Sequence, residues 1–125
     1  MKLWTMLGGA ALALGVSACA SNKTPATADV AVSREAVSAA TSAGAADLAP
    51  AEMQSAREKL MRANQALAAK DYRTAQDLAT QASADAQLAQ SKANSAKATM
   101  AADELQQNIR LLREELQRAN ATSQQ

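Results

Sequence analysis

Histidine and phenylalanine are absent from these 125 residues, cysteine occurs once, as Cys19, and the aromatics are limited to Trp4 and Tyr72. Without histidine there is no Ser-His-Asp or Cys-His nucleophile arrangement, and with one cysteine no zinc site of the usual kind. A single cysteine also forms no internal disulfide. Of four glycines, only Gly44 lies beyond the first fifteen residues, so no glycine-rich phosphate loop exists. The acidic pairs Asp103-Glu104 and Glu114-Glu115 are the remaining candidates for chemistry. Neighbours on a helix point about 100° apart, so neither pair converges on one site, and both read as solvated surface. No catalytic residue, cofactor, metal or small-molecule substrate is implied.

Charge is equally uninformative about partners. The net charge is +1 and the isoelectric point about 7.9. Lys59, Arg62, Lys70, Arg73, Lys92 and Lys97 are interspersed with acids, whereas nucleic acid requires a clustered basic face. What the chain does have is alanine, which makes up most of its 48% hydrophobic content. Alanine is the best helix former but buries little area. The composition predicts long helices around a thin core.

Met1-Lys2 opens the chain with a positive charge, and Leu3 to Val16 forms an apolar run. That run is shorter than the roughly 20 residues needed to span a bilayer and suits a secretory signal. Val16-Ser17-Ala18-Cys19 resembles the lipobox of bacterial lipoproteins. The resemblance implies cleavage before Cys19, diacylglycerol on its Sγ and acylation of the new amine. One acyl chain holds a protein only marginally, and several hold it firmly. In such lipoproteins an aspartate after the cysteine favours inner-membrane retention. Here Ala20 and Ser21 follow, which implies an outer-membrane address facing the periplasm. An ordinary signal peptide or a buried apolar helix is the plainer reading of the same run.

Residues 1–18 are thus expected to be the signal, and 19–29 the lipidated cysteine with a flexible tether, "ASNKTPATAD". A helical domain is expected over 30–120, with 121–125 a frayed tail. Val30 to Ala43 is a first helix candidate, with Val37 and Ala40 on one face and Gly44 placed as a C-cap. "GAADLAP" reads as a loop. Pro50 suits the first turn of a second helix, and Glu52 lies near that helix's positive end. Met53, Ala56, Leu60, Ala63 and Leu67 recur at helical spacing. "AKDY" interrupts, and Asp71 is a good N-cap for a third helix. Tyr72 is read as a wedge in that turn, with a recognition handle as the alternative. Met53, Met61 and Met100 are read as core, with an adaptable binding surface as the alternative.

From Tyr72 onward, Ala75, Ala79, Ala82, Ala86, Ala89, Ala93, Ala96 and Met100 alternate in steps of three and four. Such a stripe of small residues admits a second helix at close range, with Leu78 and Leu88 beside it. Leu105, Ile109, Leu112, Leu116 and Ala119 then resume in a different phase, as at a stutter or a break between packing units. No proline or glycine separates Tyr72 from Ala119, so an unbroken helix there would be about 70 Å long. Glu58–Arg62 and Glu114–Arg118 have the favourable acid-first i,i+4 order. The expected fold is all-α: an antiparallel helical hairpin or three-helix bundle with one long, coiled-coil-like C-terminal helix. The face Leu105, Ile109, Leu112, Leu116 is then buried by bundle closure, by self-association or by a partner protein.

The stretch "ANQALAAKDYRTAQDLATQASADAQLA" resembles the alanine-rich domain-of-unknown-function family 4398 of bacterial envelope lipoproteins, with Ala49-Pro50 and Asp71-Tyr72 at the family's loop and turn. The likeness covers about Val30 to Ala101. Some members continue into a peptidoglycan-binding OmpA-like domain, which these 125 residues do not contain. Part of the stretch also looks like half a tetratricopeptide repeat, but one helical hairpin is not an array. The murein lipoprotein family shares a lipobox and an alanine-rich coiled coil, but attaches to peptidoglycan through a terminal lysine, where this chain has Gln125. The expectation is a non-enzymatic outer-membrane lipoprotein. It is anchored through acyl chains on Cys19 and acts as a periplasmic interaction or scaffold module, with an envelope protein or a second copy as partner. A self-associating spacer of the envelope, similar to murein lipoprotein without covalent attachment, is the alternative.

Overall fold

The computed structural model describes residues 23–124, so the expected signal over 1–18, Cys19, residues 20–22 and Gln125 lie outside the described residues. Every element among the described residues is a helix: α1 (Lys23–Ser42), the single turn α2 (Ala45–Leu48), α3 (Pro50–Ala68) and α4 (Tyr72–Ser123). The expected tether over 19–29 is corrected from Lys23 onward. Pro25 falls in the first turn of α1, where its missing N–H costs no helical bond, and Ala26 is fully buried. The "GAADLAP" loop likewise contains a helical turn, and the expected tail at 121–125 is helical as far as Ser123.

The helix ends explain where the chain turns. Gly44 takes φ +76°, and its N–H donates to the Thr41 carbonyl at 2.9 Å. Pro50 opens α3 with Glu52 in its first turn. At the other end of α3, Lys70 adopts a left-handed φ of 63°. The Lys70 N–H donates to Leu67 at 3.1 Å and the Asp71 N–H to Ala66 at 2.9 Å. This is a Schellman motif with lysine where glycine is usual. Asp71 then caps α4 by accepting from the Thr74 N–H at 3.2 Å.

The core is three matched stripes with three- and four-residue steps. α1 buries Ala26, Val30, Ser33, Val37 and Ala40. α3 buries Met53, Ala56 and Ala63, with Leu60 and Leu67 partly covered. α4 buries Ala75, Ala79, Ala82, Ala86, Ala89 and Ala93. One cluster joins Ala26 and Val30 to Ala63, Ala75 and Ala79. The other joins Val37 and Ala40 to Met53, Ala56, Ala86, Ala89 and Ala93. α1 therefore runs parallel to α4, with α3 antiparallel to both, and α4 packs more extensively on each than they pack on one another. Tyr72 is half-buried against the first cluster, as its reading as a turn wedge requires. Ser33 satisfies its buried hydroxyl by donating to its own helix, at the Val30 carbonyl, 2.9 Å away.

Three core expectations are corrected. Met61, Leu88 and Met100 are exposed: Met61 and Leu88 lie off the buried stripes of α3 and α4, and Met100 lies past the point where α1 and α3 end. Of the methionines at 53, 61 and 100, only Met53 is core.

Candidate interaction face

α4 outlasts its partners. Its last fully buried residue is Ala93, and a Cβ placed on Gly44 would meet Lys97 at 3.6 Å, so the bundle ends near Lys97. α4 continues unbroken to Ser123, about 40 Å further, and every residue over 97–124 is exposed. Leu105, Ile109, Leu112 and Leu116 are all on this overhang, with exposures of 59%, 39%, 59% and 63%. Burial by bundle closure is thereby corrected: α1 and α3 are too short to reach this face. Around it, Glu114 and Arg118 pair at 3.7 Å on the exposed surface.

The change of phase is not a break, since the helix is continuous. At 100° per residue, the leucine stripe lies about 130° around α4 from the alanine stripe. It is a second stripe on the outward face, and extending its spacing backwards shows where it begins. Steps of three and four from Leu105 pass through Ala102, Ala98, Ser95, Ser91, Leu88 and Ala84, all exposed. Forwards they pass through Ile109, Leu112, Leu116 and Ala119. The whole seam, Ala84 to Ala119, carries no charge. Its first half is concealed in the sequence, because its small residues run alongside the more conspicuous alanine stripe.

Elsewhere the polar groups are structural. The Lys59 ammonium and the Ser55 hydroxyl donate to Asp85 Oδ2 at 2.6 and 2.7 Å. Lys59 chiefly holds the Asp85 carboxyl below its ordinary pKa, against the opposing effect of partial burial. Lys92 donates to Glu52 and lowers its pKa likewise, and Thr74 does so for Asp71. Gln76 donates to Asp29 at 3.0 Å, tying α4 to α1, and Arg34 donates to Asn64 at 3.0 Å, tying α1 to α3. Among the described residues no cluster of three metal-ligating side chains occurs, and no buried side-chain polar atom lacks a partner. A shallow groove between α1 and α4, lined by Asp29, Val32, Thr80, Ser83 and Gln87 among others, gathers no convergent reactive groups. No helix among the described residues is long and apolar enough to cross a membrane.

No curated protein and no solved structure matches this chain. The family described as "Domain of unknown function (DUF4398)" matches residues 28–105, a span that takes in nearly all of the bundle and stops where the leucine stripe starts. The chain belongs to this family, with the leucine-rich end of α4 lying beyond the matched span.

Proposed function

We propose that this protein is a lipid-anchored outer-membrane lipoprotein that faces the periplasm and acts, without catalysis, as an interaction or scaffold module. The observation that carries the reading is the opposition of the two ends of the molecule. The start of α1 lies beside the α3–α4 turn, as the Asp29–Gln76 bond and the Ala26, Val30, Ala75 cluster require. The leucine-bearing overhang is at the other end of α4, a helix of 52 residues and about 78 Å. With acyl chains on Cys19, four residues before α1, the bundle stands near the membrane and the apolar stripe is held away from it. Localisation is then the mechanism: the lipid fixes one end, and the rigid helix sets the distance at which the other is presented.

The experiment is the intact mass of the protein extracted from membranes, with its N-terminal peptide. A chain starting at Cys19 and heavier by a diacylglycerol and a further acyl group supports the proposal. An unmodified Cys19, or cleavage elsewhere, overturns anchored presentation.

A further inference from the structure

We infer that the outward seam of α4 is a coiled-coil interface for a second copy of this chain, running parallel and in register from Ala84 to Ala119, so that two bundles stand back to back. The seam is the full length of a coiled-coil face rather than a local patch. It spans five heptads, about 54 Å, without an interruption in its three–four spacing and without a charge. A monomer leaves all of it in water. α1 and α3 cover the alanine side of α4 and leave the seam exposed along its length, with Ala84 at the edge of the groove against α1.

Three features select a second copy, aligned in parallel. Written as heptads, the seam places Leu88, Ser95, Ala102, Ile109 and Leu116 at a, and Leu105 and Leu112 at d. The Ile109 layer, with β-branched a between leucines at d, is the combination that favours two parallel strands. The flanks carry no self-repulsion: in a parallel pair Asn108 meets Arg113 and Glu115 meets Asn120 across the interface, and Lys92, opposite Gln87, is paired with Glu52 of its own chain, so no like charges oppose. Parallel alignment also superposes the apolar layers of the overhang on one another, whereas antiparallel pairing places Leu105 and Ile109 against small residues. The alignment accords with the anchored reading above, since it brings both chain starts to the same membrane. The pairing itself does not rest on that anchor.

The test is disulfide capture in the native envelope. The full-length chain carries one new cysteine, as Ser95→Cys, Leu105→Cys or, off the seam, Gln107→Cys, and is oxidised mildly before a non-reducing gel. All three positions are exposed, so the bundle is not disturbed. Dimer bands from Ser95→Cys and Leu105→Cys, with none from Gln107→Cys, are the expected result. Equal bands from all three, no band from either seam position, or a band from Leu105→Cys alone overturns the proposal, the last by confining contact to the overhang. Wild type run alongside separates this from the anchor: a dimer of wild type reports a free Cys19 thiol and overturns acylation. The same three variants in a Cys19→Ser background then decide the seam, with the same readings.

Discussion

The Lys59 ammonium on α3 lies 2.6 Å from Asp85 Oδ2 on α4, and this contact, with the Lys92–Glu52 pair, makes the bundle sensitive to acid. Both carboxyls have pKa values lowered in the folded state. A carboxyl with a lowered pKa contributes stability above its unfolded pKa, and that contribution is lost as pH falls through the folded value. Thermal midpoints should therefore be flat at neutral pH and decline below about pH 4, where unfolded carboxylates protonate. Asp85→Asn should lower the neutral midpoint and reduce the acid-side decline, measured by circular dichroism from pH 2 to 7. An unchanged acid slope would contradict the role given to this pair.

The two faces of α4 should respond oppositely to the same substitution. Ala86 has no exposed surface, so Ala86→Leu should cost about 1–3 kcal/mol through overpacking. Ala84→Leu, on the outward face, should change monomer stability by less than about 0.5 kcal/mol. Urea unfolding of dilute protein distinguishes them, and equal costs would refute the assignment of faces.

The two left-handed residues make a matched pair. A Cβ at Gly44 would meet only ordinary contacts at 3.6 Å, so Gly44→Ala should cost about 1 kcal/mol from its backbone conformation alone. Lys70→Gly should relieve the same strain at φ 63°. The entropic cost of glycine offsets part of the gain, leaving about 0.5 kcal/mol of stabilisation. Denaturant midpoints moving in the same direction for both would count against this account.

Deleting residues 98–123 should leave the unfolding midpoint of the monomeric bundle within about 0.5 kcal/mol of the full chain, because these residues are all exposed and lie past Ala93, the last buried residue of α4. Helical ellipticity should fall in proportion to the residues removed. A collapse of the midpoint would show that the overhang supports the bundle.

Much of this architecture was legible in the sequence. Pro50, Asp71 and Gly44 each act at a helix end through local chemistry, and the alanine stripe of α4 reports its buried face directly. Lys70 was not legible, because lysine carries no turn signal and its left-handed conformation is imposed by the Schellman bonds around it. The start of α1 was misplaced because Pro25 reads as a linker until packing at Ala26 shows it to be in a first helical turn. Leu88 reads as a flank of the alanine stripe because it is apolar and adjacent to it, whereas it is exposed and aligns with Ser95 and Leu105. The candidate face itself was visible at Leu105–Leu116. Its extension towards Ala84 was not, because serine and alanine do not announce an interface unless the helix is known to be continuous.

A core built from alanine also bears on temperature. The heat capacity of unfolding grows with the apolar area exposed, and fully buried positions such as Ala79, Ala82 and Ala89 release little area each. The increment per residue should fall below the usual 12–15 cal/mol/K, which flattens the curve of free energy against temperature. Such a bundle resists both cooling and warming through a shallow, broad optimum rather than a high one.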